Sequence, residues 1–314
     1  TPPRDYKKWA TLITRLVSHC VDRYGLAEVR EWFFEVWNEP NLKAFWTGTQ
    51  HDYFKLYRHT ARAIKDVDAA FCVGGPATAR NEWIEEFLDF CEKNDLPADF
   101  VTTHHYPTDA FGEVGDDTEA QLASSRRSVL REQAQDVRRR ARGLPVYYTE
   151  WNTSSNPRDT LHDEPYAAAF VAKTVMEMSG LVEGYSFWTF SDIFEENYFP
   201  SVPFHGGFGL MNLHGIPKPA YRAFELLHHL GGEQRMIGGG DQKRILRRGI
   251  GADPLEGCRD RLVRSLDHQP GVIWQHVADP LDLLGEHAHL RPFGPGPFRH
   301  GFHRFRRIFR AVEG

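Results

Sequence analysis

The 314-residue sequence holds only four cysteines (Cys20, Cys72, Cys91 and Cys258), none of them in a C-x-x-C pair. That excludes a disulfide-dense scaffold and a thiolate zinc site, and the four read as free, buried thiols. No apolar run approaches the ~18 residues that a membrane span needs. Strong charge of one sign is missing as well: 38 Lys+Arg stand against 43 Asp+Glu, a formal net charge of −5. This balance argues against nucleic acid as the main partner. No Gly-rich phosphate loop follows any strand-like run, which disfavours a doubly wound nucleotide-binding sheet. No G-x-S-x-G elbow occurs, which disfavours a Ser-His-Asp hydrolase. The chain opens at Thr1, without an initiator Met and without a basic-then-apolar leader.

What is present is an ordinary globular composition, 41% hydrophobic and 26% charged, with 13% aromatic residues and 8 Trp. The length suits two domains, or one large α/β barrel and a remainder. Thr1 before Pro2 reads as a cap-then-proline helix start, and Trp9, Leu12, Ile13, Leu16, Val17, Cys20 and Val21 recur at helical spacing until Gly25. Five strand-helix alternations then follow. Phe33–Trp37 precedes a helix at Tyr53–Val67, and Phe71–Gly74 precedes Trp83–Cys91. Phe100–His104 precedes one long polar helix over Glu119–Arg142, and Val146–Thr149 precedes Tyr166–Met178. Tyr185–Phe190 precedes Ala220–Leu230 after a long loop. Repeated βα units of this size predict a parallel sheet.

Character changes near Gly231. From there to Gly314 there are 13 Arg, one Lys and 14 of the 27 Gly, with no Tyr, Asn or Thr. The preferred reading of 231–314 is a poorly ordered or non-native Arg/Gly-rich tail, such as a shifted reading frame produces; an Arg-rich linker or small accessory domain is the alternative. Its basic cluster (Arg304, Arg306, Arg307, Arg310) follows the compositional bias and is not read as a nucleic-acid site.

Four of the five strands end in chemically capable residues: Trp37-Asn38-Glu39-Pro40, His104-His105-Tyr106, Thr149-Glu150-Trp151, and Trp188 followed by Asp192. In a (β/α)8 barrel the C-terminal strand ends form the active face, so these groups converge there. Two carboxyls and an aromatic wall suit glycosidic bond cleavage, in which one carboxyl protonates the leaving oxygen and the other attacks the anomeric carbon or activates water. Glu39 lies on the turn made rigid by Pro40. Glu150 lies beside Tyr147, Tyr148 and Trp151, where a tyrosine can orient it, and Trp188 can floor a sugar ring. The same set without turnover is a sugar-binding cleft. A metal site is disfavoured because His104, His105, Glu39 and Glu150 come from separate strands without paired ligand spacing. Glu35 shares the alternation of Trp37 and Glu39 and is expected to point into the barrel as a paired carboxylate. His51, His59, His162, His228 and His229 read as surface or packing residues.

The stretch Phe34-Glu35-Val36-Trp37-Asn38-Glu39-Pro40-Asn41-Leu42 resembles the acid/base strand of clan A glycoside hydrolases. With Thr103–Thr108, Tyr148–Asn152, Trp188–Glu196 and Phe204–Leu210 in the same order, the run from Thr1 to Leu230 resembles glycoside hydrolase family 39, in its β-xylosidase branch. The resemblance implies a (β/α)8 TIM barrel over 1–230 that lacks its first three strands, with an irregular tail after it. It implies retention, with Glu39 as acid/base, Glu150 as nucleophile and the two carboxyls on the order of 5 Å apart. It further implies that Asn38 binds the sugar 2-OH, that His104 and Tyr106 line the subsite, that Trp188 stacks under the ring, and that Glu195 and Glu196 hold hydroxyls. The implied substrate is a xylo-oligosaccharide or an aryl or alkyl β-xyloside. No metal, cofactor, nucleic acid or membrane is implied, the expected location is cytoplasmic, and the oligomeric state of the intact parent, a homo-oligomer among the options, is left open. The alternatives are an α-L-iduronidase-like or other clan A β-glycosidase and, from another class, a non-catalytic sugar-binding remnant. Five strands of eight cannot close a barrel, so the isolated chain is expected to be a fragment, unstable or inactive.

Overall fold

The computed structural model describes residues 1–108, 118–194 and 201–230. Glu195, Glu196 and the whole segment read as a tail, 231–314, lie outside them. The elements in chain order are α1 (Tyr6–Tyr24), α2 (Leu26–Val29), β1 (Phe33–Glu35), α3 (Gln50–Val67), β2 (Cys72–Thr78), α4 (Ile84–Lys93), β3 (Phe100–His105), α5 (Thr118–Ser124), α6 (Val129–Arg140), β4 (Val146–Trp151), α7 (Pro165–Met178), β5 (Gly184–Phe187) and α8 (Pro219–Leu230). The strands form one sheet in the order β1-β2-β3-β4-β5, each neighbour parallel. The parallel sheet is the one that the strand-helix alternation predicts, and its half-barrel form fits the partial TIM barrel that the resemblance implies. Among the described residues β1 pairs only with β2, and β5 only with β4. No helix among them is long and apolar enough to cross a membrane.

The helices pack on the convex face through apolar stripes at helical spacing. Tyr53, Leu56, Tyr57 and Ile64 of α3, Ile84, Phe87, Leu88 and Cys91 of α4, and Leu130, Ala134 and Val137 of α6 are buried in one cluster with Val73, Val101 and Val146 of the strands. Burying side chains of this size contributes about 1.5–3 kcal/mol each and offsets the ordering entropy of the chain. At the N-terminal end of the strands a second aromatic group fills the inside: Phe33, Phe100 and Tyr147 lie with centroids 5.2 to 5.7 Å apart. Gly74 makes room for it, because a Cβ there would collide with the carbonyl and ring of Phe100. Gly74→Ala is therefore expected to cost about 1–3 kcal/mol by overpacking, read as a lower urea midpoint; an unchanged midpoint would mean that both the backbone and the ring of Phe100 yield freely.

Several boundaries differ from the sequence reading, each for a local reason. α1 starts after Asp5, not after Thr1, since the Asp5 carboxylate accepts from the backbone N–H groups of Lys7 (2.9 Å) and Lys8 (3.2 Å). β2 continues through Gly74-Gly75-Pro76 to Thr78, with Pro76 in register with Thr102; the breaker residues mark an irregular strand and not its end. The long polar helix is two helices, α5 and α6, with Ser125 to Ser128 between them. Cys20 and Cys91 are free and buried. Cys72 is disulfide-bonded, which corrects the free-thiol reading for it.

Candidate active site

The chain leaves β1 through a constrained turn. Trp37 and Glu39 both have left-handed backbone, with φ of 72° and 43°, a conformation that costs about 1–3 kcal/mol per non-glycine residue and persists only where its surroundings enforce it. They do so here. The Trp37 indole donates to the Phe45 carbonyl (3.2 Å) and meets buried Trp46 edge-on at 5.1 Å. The Glu39 N–H donates to the Ala77 carbonyl on β2 (2.8 Å), and Asn41 brackets Ala79 with two hydrogen bonds. Glu39 is thereby held 7% exposed beyond the end of β1.

His104, near the end of β3, stands between the two carboxylates. Its Nδ1 is 2.9 Å from Glu39 Oε1 and 3.4 Å from Glu150 Oε2. One donor atom from each of Glu39, His104 and Glu150 lies within 4.8 Å of the others. Tyr106, just past β3, donates its hydroxyl to Glu150 Oε1. Burial acts most strongly on His104 and opposes its charge. Glu150, the Glu39 hydrogen bond and charge, and Glu35 together outweigh it, so the imidazole is pushed up to about 9. Glu35 does face the barrel interior, where its Oε1 accepts from Thr149 on β4 at 2.7 Å.

Alternation along the strands sorts the rest. His105 points the other way, stacked on Tyr148 at 3.7 Å with its Nε2 2.8 Å from the Tyr185 hydroxyl, and burial holds it neutral. Tyr147 and Tyr148, which adjacency suggested as the orienting residues for Glu150, are committed to the interior and to His105; the role falls to Tyr106 on the neighbouring strand. Asn38 is exposed at the turn beside Glu39. Trp188 follows β5, its N–H on the Trp151 carbonyl (2.9 Å) and its ring edge-on to Phe194 at 5.2 Å. Asp192, read from sequence as a chemically capable strand end, is instead buried against Lys218 (2.9 Å). Lys218 was missed altogether, for a lone lysine between two prolines gives no sequence signal. His162, read as surface or packing, is a buried packing residue, with its Nδ1 2.8 Å from the Gly206 carbonyl.

Two carboxylates with an imidazole between them can move a proton and attack an electrophilic carbon from one pocket. The same three donors also have the separation of a metal-ligand set. A metal would have to displace the proton between Nδ1 and Glu39, because ligating imidazoles are unprotonated at the metal-bound nitrogen.

Residues 1–247 match the family model described as glycosyl hydrolases family 39. The chain is 56% identical over 236 residues to a β-xylosidase of Caldicellulosiruptor saccharolyticus, covering 74% of this chain and 48% of that one. It is 46% identical over 242 residues to a β-xylosidase of Geobacillus stearothermophilus, with the same coverage of 74% and 48%. The solved structure of a family 39 β-xylosidase from Caulobacter crescentus superposes with a TM-score of 0.64 at 43% identity, over 72% of this chain and 48% of that one. The chain thus spans about half the length of the curated relatives it matches.

Proposed function

The chain belongs to glycosyl hydrolases family 39, and on that premise we propose that it is the catalytic half of a retaining β-xylosidase acting on xylo-oligosaccharides or aryl and alkyl β-xylosides. One observation carries the mechanism: the Glu39 and Glu150 donor atoms approach within 4.8 Å. Retaining glycosidases hold their carboxyls at about 5–5.5 Å, whereas inverting ones leave about 6.5–9.5 Å for a water.

In the first step Glu39 gives its proton to the departing glycosidic oxygen while an oxygen of Glu150 bonds to the anomeric carbon. In the second, Glu39 takes a proton from water, the water oxygen bonds to that carbon, and Glu150 departs as a carboxylate. Tyr106 fixes the attacking carboxylate through its hydroxyl. Asn38 binds the 2-OH and Trp188 floors the ring in this reading. Glu195 and Glu196 are carried over from the family as further hydroxyl ligands. Residues 1–230 form the catalytic unit.

Although the five-stranded sheet leaves two edges open among the described residues, the carboxylate pair is complete, and we take it as sufficient for turnover. Proton NMR of an aryl β-D-xyloside during hydrolysis by the 314-residue chain tests this. The β-anomer of xylose is expected first, with the α-anomer growing only by mutarotation. The α-anomer as first product would overturn retention, and no release of xylose would overturn the activity of this chain.

A further inference from the structure

A hydrogen-bond chain lies behind the two carboxylates, and the mechanism so far makes no use of it. Thr149 Oγ1 donates its only proton to Glu35 Oε1 at 2.7 Å, and the same oxygen stands 3.1 Å from Nε2 of His104. With its proton committed to Glu35, Oγ1 meets His104 as an acceptor, so Nε2 carries a hydrogen. The other ring nitrogen, Nδ1, is then the one left to exchange a proton with Glu39 Oε1, 2.9 Å away. Resting on the reading of Glu39 as acid/base, we propose that Glu35 and Thr149 are positioning residues that lock the His104 tautomer, so that Nδ1 and Glu39 share the single proton used in catalysis.

The proton count closes over a turnover. At rest the pair holds one proton, as a neutral Glu39 donating to Nδ1 or as an imidazolium donating to an ionised Glu39. Protonation of the leaving oxygen takes that proton and leaves a carboxylate beside a neutral imidazole. Water supplies the replacement in the second step. The ionisable groups around His104 are Glu35 and Glu39 from β1 and its turn, Glu150 from β4, and His105 and Tyr106 from β3 and its end. His105 is held neutral by burial, and the Tyr106 hydroxyl is turned to Glu150. On the β2 side Thr78, in register with Thr103, carries no charge. Three carboxylates therefore favour the imidazolium against burial, in keeping with a His104 pKa of about 9. Relays that fix an imidazole tautomer through its second nitrogen are a general device for setting its basicity.

The test is a nitrogen-15 NMR titration of histidine in the 314-residue chain, with His104→Gln assigning the resonance. Thr149→Val, which keeps the shape and deletes the hydroxyl, is expected to lower the His104 midpoint by about one pH unit and to lose the fixed Nε2–H signature. Glu35→Gln is expected to lower the midpoint as well, and Thr149→Ser to restore both readouts. The alkaline limb of kcat/KM for an aryl xyloside is expected to move down with the midpoint. An unchanged tautomer and midpoint in Thr149→Val and Glu35→Gln would overturn the relay, as would Thr149→Ser behaving like Thr149→Val. A midpoint that moves while the alkaline limb stays fixed would overturn the sharing of the catalytic proton. Absence of turnover in the unsubstituted chain would count against the xylosidase reading, while the NMR titration still decides the relay.

Discussion

Glu150→Gln is expected to lower kcat for an aryl β-D-xyloside by about four orders of magnitude, equivalent to about 5 kcal/mol of transition-state stabilisation. The amide keeps the volume and can still accept from Tyr106, so the pocket keeps its shape, while the nucleophile is lost together with the charge that helps to raise His104. Glu39→Ala separates the two steps. With an activated aryl leaving group, bond cleavage needs little proton donation, so the glycosyl-enzyme still forms. Its hydrolysis still needs a base to take the proton of water, and it stalls. The expected signature is a rapid burst of phenol followed by a slow steady state, and azide, which attacks without a base, restores turnover. If the two variants behaved alike, with both steps lost equally, the division of roles between Glu39 and Glu150 would be wrong.

Lys218→Met is expected to destabilise the fold by about 3–5 kcal/mol, the cost of leaving buried charges without their partner. The Lys218 side chain is 0% exposed, and its ammonium lies 2.6 Å from Asp163 Oδ1, 2.9 Å from Asp192 Oδ2 and 2.8 Å from the Gly207 carbonyl. It hydrogen-bonds the Gly207 carbonyl and holds the two carboxylate oxygens by charge. Asp163 and Asp192 in turn accept from the N–H groups of Gly206 and Gly209, both at 2.7 Å. Three separate segments meet at this one ammonium: the turn before α7, the chain after β5, and the strip 206–211. The strip also exchanges backbone hydrogen bonds with Thr189 and Phe190, so it braces the residues that follow Trp188. Methionine fills the same space but strands two carboxylates in a dry site. Domains have only about 5–15 kcal/mol of stability, so urea unfolding should shift markedly. Adding Asp163→Asn and Asp192→Asn should recover part of the loss. A change below about 1 kcal/mol, the scale of an exposed pair, would mean that water reaches this cluster.

The parts legible in the sequence are those with a local signature. The strand-helix alternation gave the parallel sheet because apolar runs bounded by Gly and Pro need no knowledge of distant contacts. Asn38-Glu39-Pro40 and Thr149-Glu150-Trp151 marked strand ends for the same reason, and alternation placed Glu35 on the inner face. What depends on through-space partners stayed hidden. The tyrosine on Glu150 is Tyr106, 44 residues away in sequence, where adjacency pointed to Tyr147 and Tyr148. Asp192 looked chemical because it follows a strand, yet its neighbour is Lys218, which no spacing rule connects to it. Gly74-Gly75-Pro76 looked like a stop, although an inward glycine is what lets Phe100 lie across the sheet. The proximity of His104 to both carboxylates likewise emerges only when β1, β3 and β4 are set side by side.

The most direct test of the central claim is covalent trapping with a 2-deoxy-2-fluoro-β-xyloside bearing a good leaving group, followed by peptide mass spectrometry of the 314-residue chain. The account predicts one fluoroxylosyl adduct, on the peptide that carries Glu150, and no label in Glu150→Gln. An adduct on Glu39 or on any other residue, or a chain left unlabelled, would contradict it.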